Sequence, residues 1–164
     1  IDLIAGALST AELHSKWRMD IAELNGLVLI NDSYNASPES TEAALRTLVL
    51  FAQERGGQSW AFLGKMHELG ASSLHHHSRL GTLASELGID HLVCVASPEY
   101  AAQVNGSSAM TVHLLDSKEL ADELVSQMSQ GDVVLVKASR AEKFEEVAES
   151  ITEKWNSREV GGET

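Results

Sequence analysis

Three features of the sequence predict an α/β domain built on a doubly wound, mostly parallel sheet with one antiparallel strand. Short apolar runs at residues 27–30, 59–64, 92–96, 110–114 and 132–137 alternate with helical patterns of roughly 10–15 residues, the rhythm of βαβ units. The run at 27–30 is unbroken, as in a strand buried on both faces, and 132–137 is the most strongly β-branched stretch of the chain. Asn25-Gly26, between the alternating stretch 16–24 and that first run, is the strongest short hairpin signal, so one antiparallel strand joins the sheet.

Each element has its own warrant. Ser37-Pro38 reads as an N-cap followed by proline at the first helical position, and Ala44, Leu45, Leu48, Val49, Phe51 and Ala52 recur at helical spacing until Gly56-Gly57 stops the helix. The order then repeats: a strand at 59–64, a loop at 65–73 and a helix over 74–87 ended by Gly88. A strand at 92–96 leads to a short helix near 99–104 and a break at 105–108. After the strand at 110–114, Asp116 or Ser117 caps a helix to about Met128, with Leu120, Ala121, Leu124, Val125 and Met128 on one face. Gly131 turns the chain into the strand at 132–137, and a final helix runs from Glu142 to about Trp155. Residues 1–15 read as a linker, 16–155 as the domain and 156–164 as a polar, disordered tail. A start at Ile1 rather than Met suggests a piece of a longer chain.

Composition narrows the function classes. A length of 164 residues suits one core, and a net charge of −12, from 24 acidic against 12 basic residues, repels polyanions and argues against nucleic acid as a partner. No apolar run approaches the ~18 residues of a membrane span, and the start lacks a basic signal region, so neither membrane nor export is expected. The lone Cys94 fits a reducing, cytoplasmic setting and reads as a core residue.

Several chemistries are excluded by motif. Gly64-Lys65-Met66 lacks the earlier glycine and the hydroxyl residue of a phosphate loop, and no G-x-G-x-x-G, G-x-S-x-G or zinc-type cysteine pattern occurs. His75-His76-His77 cannot all face one metal, because adjacent helical residues point about 100° apart; no metal site is expected. Two loops remain at the carboxyl ends of strands, where open α/β sheets bind ligands. The first holds Asp32, Tyr34 and Asn35, either crevice residues or ordinary turn formers. The second holds Lys137, Ser139 and Arg140 before an expected helix N-terminus, either a clamp for a carboxylate or phosphate or an incidental surface loop. Glu142, Glu145, Glu146, Glu149 and Glu153 read as a solvated helix face.

Taken together, Asn31-Asp32-Ser33-Tyr34-Asn35-Ala36-Ser37-Pro38-Glu39-Ser40, Leu63-Gly64-Lys65-Met66-His67-Glu68-Leu69-Gly70 with His77 and Gly81, and Val134-Leu135-Val136-Lys137-Ala138-Ser139-Arg140 resemble the C-terminal domain of Mur ligases. Within that family the resemblance is to members that join D-alanyl-D-alanine to UDP-N-acetylmuramoyl-tripeptide in peptidoglycan synthesis. Other Mur ligases and folylpolyglutamate synthases are the alternatives inside the superfamily, and a free-standing α/β binding module is the alternative outside it. The chain departs from the family pattern at Asn31, Lys65 and Ala138, where Asp, an acidic residue and Gly are usual.

The resemblance implies a Rossmann-like fold and ATP-dependent amide formation through an acyl phosphate. It places the phosphate loop, the Mg2+ ligands and the catalytic residues in a central ATPase domain, so it implies no catalytic residue here and no activity of the isolated fragment. It matches Arg18, Asp32 and Asn35 to nucleotide contacts, and Lys137, Ser139 and Arg140 to the dipeptide side. His77 matches a family histidine to which no role is assigned.

Overall fold

Asn25 and Gly26 both adopt left-handed backbone, φ 47° and 90°, and fold Asp20–Leu24 (β1) onto Leu27–Asn31 (β2) as an antiparallel pair. This hairpin opens the domain in the computed structural model, which describes residues 17–160. The expected linker at 1–15 and the last four residues lie outside the described residues.

The other strands are Ser59–Leu63 (β3), His91–Val95 (β4), Thr111–Leu115 (β5) and Val133–Lys137 (β6). They form a six-stranded sheet in the order β1-β2-β6-β3-β4-β5, parallel throughout except for the β1–β2 pair. Successive residues of β2 point to opposite faces, so one short run supplies two cores. Val28 and Ile30 pack with Leu45, Leu48, Leu80 and Tyr100, whereas Leu27 and Leu29 pack with Val125, Val147, Ile151 and Trp155.

The first face is covered by Pro38–Arg55 (α1), Ser73–Glu86 (α2) and a 3₁₀ turn at Pro98–Ala101; the second by a 3₁₀ segment at Lys118–Gln127 and the helix Glu145–Val160 (α3). The chain therefore leaves β2 and β3 toward one face and leaves β6, which lies between them, toward the other. A crevice opens at the carboxyl end of β6.

Three helical expectations are corrected. Lys118–Gln127 winds as 3₁₀ rather than α, with Leu120 N–H donating to Ser117 O and Met128 N–H to Val125 O; the three-residue turn stacks buried Ala121 above Leu124. The last helix does not begin at Glu142: Arg140–Glu142 is a separate 3₁₀ turn, and Lys143 at φ 53° breaks the path before α3 starts at Glu145. Nor does a tail begin at Asn156, because α3 continues to Val160 and Arg158 Nη1 donates to the carbonyls of Val125 and Met128, at 2.7 and 3.0 Å.

The burial of α2 has a specific requirement. A β-carbon at Gly81 would stand 1.6 Å from the backbone oxygen of Tyr100, so only glycine lets the helix approach that turn. Gly81→Ala should lower the unfolding free energy by about 3 kcal/mol, as overpacking against rigid backbone does, read as a lower urea midpoint at an unchanged slope.

Trp60 and His91, near the amino ends of β3 and β4, stack with His113 in the middle of β5, with 3.6 Å between the centroids of Trp60 and His91, and His91 Nδ1 lies 3.1 Å from His113 Nε2. Desolvation lowers both imidazoles below their ordinary 6.5. The unfolded chain therefore takes up protons first, so stability is full above about pH 6.5 and falls as pH drops toward the lower folded values. Thermal midpoints at about pH 7.5 and about pH 5.5 should differ, and the joint change His91→Gln with His113→Gln should shrink that difference.

Candidate functional site

Asp32 follows β2 and Lys137 ends β6, and the parallel pairing of these strands brings them level: Asp32 N–H donates to Val136 O at 2.9 Å. Lys137 Nζ donates to Asp32 Oδ2 at 2.7 Å and to Asn35 O at 2.9 Å. The lysine is 2% exposed and the aspartate 8%, so this is a buried ion pair. The other carboxylate oxygen, Oδ1, accepts the backbone N–H of Met19 at 3.1 Å. Two of roughly four lone-pair positions of the carboxylate are thus filled.

The same loop fastens the segment before β1. Tyr34 N–H donates to Trp17 O at 3.0 Å, and the Arg18 guanidinium lies 4.0 Å over the Tyr34 ring. Trp17 and Met19 carry positive φ, 66° and 45°, a strained backbone that these contacts hold in place. Around Asp32 opens a cleft of about 480 Å³, walled by Arg18, Tyr34, Asn35 and Lys137 and by Ala43, Ala44 and Thr47 of α1. Ser37 caps α1 reciprocally with Ser40: Ser40 N–H donates to Ser37 Oγ at 3.1 Å and Ser37 N–H to Ser40 Oγ at 2.9 Å.

A second cleft, about 570 Å³, lies across the Tyr34–Ser37 ridge, with His67, Glu68 and Leu69 on one wall and Ser139, Arg140 and Ala141 on the other. The walls are tied together: His67 N–H donates to Ser139 Oγ at 2.8 Å and Ser139 N–H to Lys65 O at 3.0 Å. His67 Nε2 pairs with Glu142 at 2.5 Å. Arg140 Nη1 donates to both oxygens of Glu145, each at 2.9 Å, and its guanidinium lies 4.6 Å from the Trp17 ring centre.

The structure brings Arg18, Asp32 and Asn35 together, and it divides the second group of expected residues. Ser139 and Arg140 line one cleft, while Lys137 faces the other, held by Asp32. The helix N-terminus expected beside Ser139 and Arg140 is replaced by the 3₁₀ turn, so no helix of useful length points its amides there.

His77 is buried and its ring is fully engaged. Nε2 accepts Met66 N–H at 3.0 Å, so the proton sits on Nδ1, which donates to Ser73 O at 2.7 Å. It stands edge-on to Tyr100, 4.8 Å between ring centres. It fixes the wall of the second cleft and touches neither opening. His75 is exposed and His76 half-buried. Cys94 is buried, and desolvation raises its thiol to about 12, which keeps it protonated and inert.

The chain belongs to the Mur ligase family, matching its glutamate ligase domain over residues 17–140. It is 31% identical over 172 aligned residues to the UDP-N-acetylmuramoyl-tripeptide–D-alanyl-D-alanine ligase of Mycobacterium tuberculosis, covering 92% of this chain and 34% of that one. The ligase of the same name from Mycobacterium leprae is 34% identical, covering 86% of this chain and 31% of its own. The chain thus spans about a third of the curated relatives it matches. Among solved structures, the MurF ligase of Thermotoga maritima in complex with ADP superposes with a TM-score of 0.74 at 27% identity, over 94% of this chain and 38% of that one.

Removing one partner of the Asp32–Lys137 pair strands the other in the interior. Lys137→Met should cost about 3–5 kcal/mol, and adding Asp32→Asn should restore part of that loss. A double-mutant cycle by urea unfolding measures the coupling; strictly additive losses would contradict it.

Proposed function

We propose that this chain is the C-terminal domain of a cytoplasmic, ATP-dependent ligase that joins D-alanyl-D-alanine to UDP-N-acetylmuramoyl-tripeptide in peptidoglycan synthesis. The observation that carries the reading is the pair of clefts on either side of the Tyr34–Ser37 loop, one floored by Asp32 and the other walled by Arg140, in a chain whose relatives bear that name.

The first cleft has the chemistry of a nucleoside site. Asp32 has acceptor positions left for two ribose hydroxyls, and its carboxylate is held in place by Lys137 and the Met19 amide. Arg18 on Tyr34 offers a flat cationic surface beside an apolar wall from α1. Of the amides at the start of α1, Pro38 has none and that of Ser40 is taken by the cap, so the cleft lacks the run of open amides that a phosphate cradle needs. Among the described residues no group of three or more His, Cys, Asp or Glu is placed to hold a metal ion; it is the family resemblance that assigns Mg2+ and the phosphates to a central ATPase domain.

The second cleft suits the incoming dipeptide. Ser139 and the unpaired edge of Arg140 receive its carboxylate, and Lys137 acts as a positioning residue for Asp32 rather than as a dipeptide contact. ATP supplies the phosphoryl group that activates the acceptor carboxylate. This domain contributes orientation and, on closing over the central domain, excludes water from the activated species. Among the described residues no helix is long and apolar enough to cross a membrane.

The full-length ligase tests the division of labour. Asp32→Asn should raise KM for ATP by about tenfold or more while KM for D-alanyl-D-alanine changes little; Arg140→Ala should do the reverse. Better use of glutamate or of a single amino acid than of D-alanyl-D-alanine by the wild type would overturn the substrate assignment.

A further inference from the structure

Within the motif at residues 63–70, Glu68 stands apart. Its backbone is left-handed, φ 65°, a region that favours glycine or asparagine, yet an acidic side chain occupies it. The chain around it is pinned on both sides. Lys65 O accepts from Ser139 N–H, Met66 N–H donates to His77 Nε2, His67 N–H donates to Ser139 Oγ, and Leu69 O accepts from Ser72 Oγ at 2.8 Å. Strain of this kind persists where the surroundings over-determine it, and it gathers at binding sites.

The strained residue contributes nothing visible to the fold. Its carboxylate is exposed, lines the second cleft and has no hydrogen-bond or ion-pair partner among the described residues. His67, its neighbour on the same wall, is taken by Glu142. Across the cleft, Arg140 commits only Nη1 to Glu145, so its Nε and Nη2 edge carries no hydrogen bond among the described residues. One open carboxylate and one open guanidinium thus face a single cavity of about 570 Å³ from separate loops. A ligand bearing one positive and one negative end satisfies both; a simple anion satisfies only Arg140 and meets Glu68 as a like charge.

We infer that Glu68 is a specificity-determining contact for the free ammonium group of the incoming amine substrate, and that the second cleft selects zwitterions. This rests on the reading that the cleft receives the amine substrate, and it adds which end of that substrate each wall holds. The pinned backbone at 65–69 fixes the Cα of Glu68 at the cleft wall before the ligand arrives, so on binding only the side chain's own rotamers are left to be ordered.

The test uses the full-length ligase, with D-alanyl-D-alanine as substrate and N-acetyl-D-alanyl-D-alanine as a non-reacting competitor that keeps the carboxylate and lacks the ammonium. Glu68→Gln, which preserves shape, should raise KM for the dipeptide by about tenfold or more, with the change mainly in KM, and leave inhibition by the acetylated competitor as it was. Arg140→Ala should weaken both ligands. Equal effects of Glu68→Gln on the two ligands, or an effect on neither, would overturn the inference. A selective effect of Glu68→Gln beside an Arg140→Ala variant that shifts neither ligand would keep the ammonium contact and overturn the carboxylate half of the proposed function. Should the wild type prefer another free amino acid, the same comparison made with that amine and its N-acetyl form decides for or against Glu68 independently of the dipeptide assignment.

Discussion

The buried contact between Lys137 and Asp32 is the constraint on which the rest of the crevice depends. An ion pair that has lost its water is held only if both groups are well bonded, and here the lysine has a carboxylate and a carbonyl while the carboxylate has the lysine and an amide. Each of these partners belongs to a different piece of chain: the end of β6, the loop after β2, and the segment that leads into β1. Fixing the charge therefore fixes three segments at once. The sheet order makes this possible, because inserting β6 between β2 and β3 aligns its last residue with the first residue beyond β2.

A second chain of contacts sets the opposite wall. Gly81 admits the Tyr100 backbone, Tyr100 Oη donates to Gly64 O at 2.8 Å, and His77 reaches over to Met66 N–H. The loop after β3 is thus held from beneath by α2 and the turn at Pro98–Ala101, and from the side by Ser139. Two openings result from one crevice because the Tyr34–Ser37 loop, tied to Lys137 through Asn35 O, rises between them.

Much of this was legible in the sequence. Asn25-Gly26, the capping pair Ser37-Pro38 and the apolar runs located the hairpin, the first helix and the buried strands, because each is decided by local chemistry or by burial on both faces. Strand order was not legible: nothing local says that β6 lies between β2 and β3, and Lys137 was consequently grouped with its neighbours in sequence rather than with Asp32, 105 positions away. The break at Lys143 was equally hidden, since a lysine gives no sign of a left-handed backbone. His77 carried a signal of the opposite kind: a histidine one helical turn after Ser73 can bond back to that carbonyl, which marks a structural ring rather than a ligand.

On the proposed function so acidic a chain holds a charged ligand, and the charge balance of the crevice sets how. With a net charge of −12 the distant field repels anions, and Lys137 and Arg140 each already face a carboxylate, Asp32 and Glu145. On the proposed function, recognition then comes from directed hydrogen bonds at short range: the unfilled lone pairs of Asp32, the unbonded edge of Arg140 and the hydroxyl of Ser139. Such contacts discriminate by geometry more than by charge. A ligand that places its donors and acceptors correctly replaces water at these atoms, whereas one that offers only negative charge gains little from cations whose fields are already balanced. A balanced crevice of this kind favours ligands of mixed character over simple anions, and the rigidity supplied by the buried ion pair is what makes that selection possible.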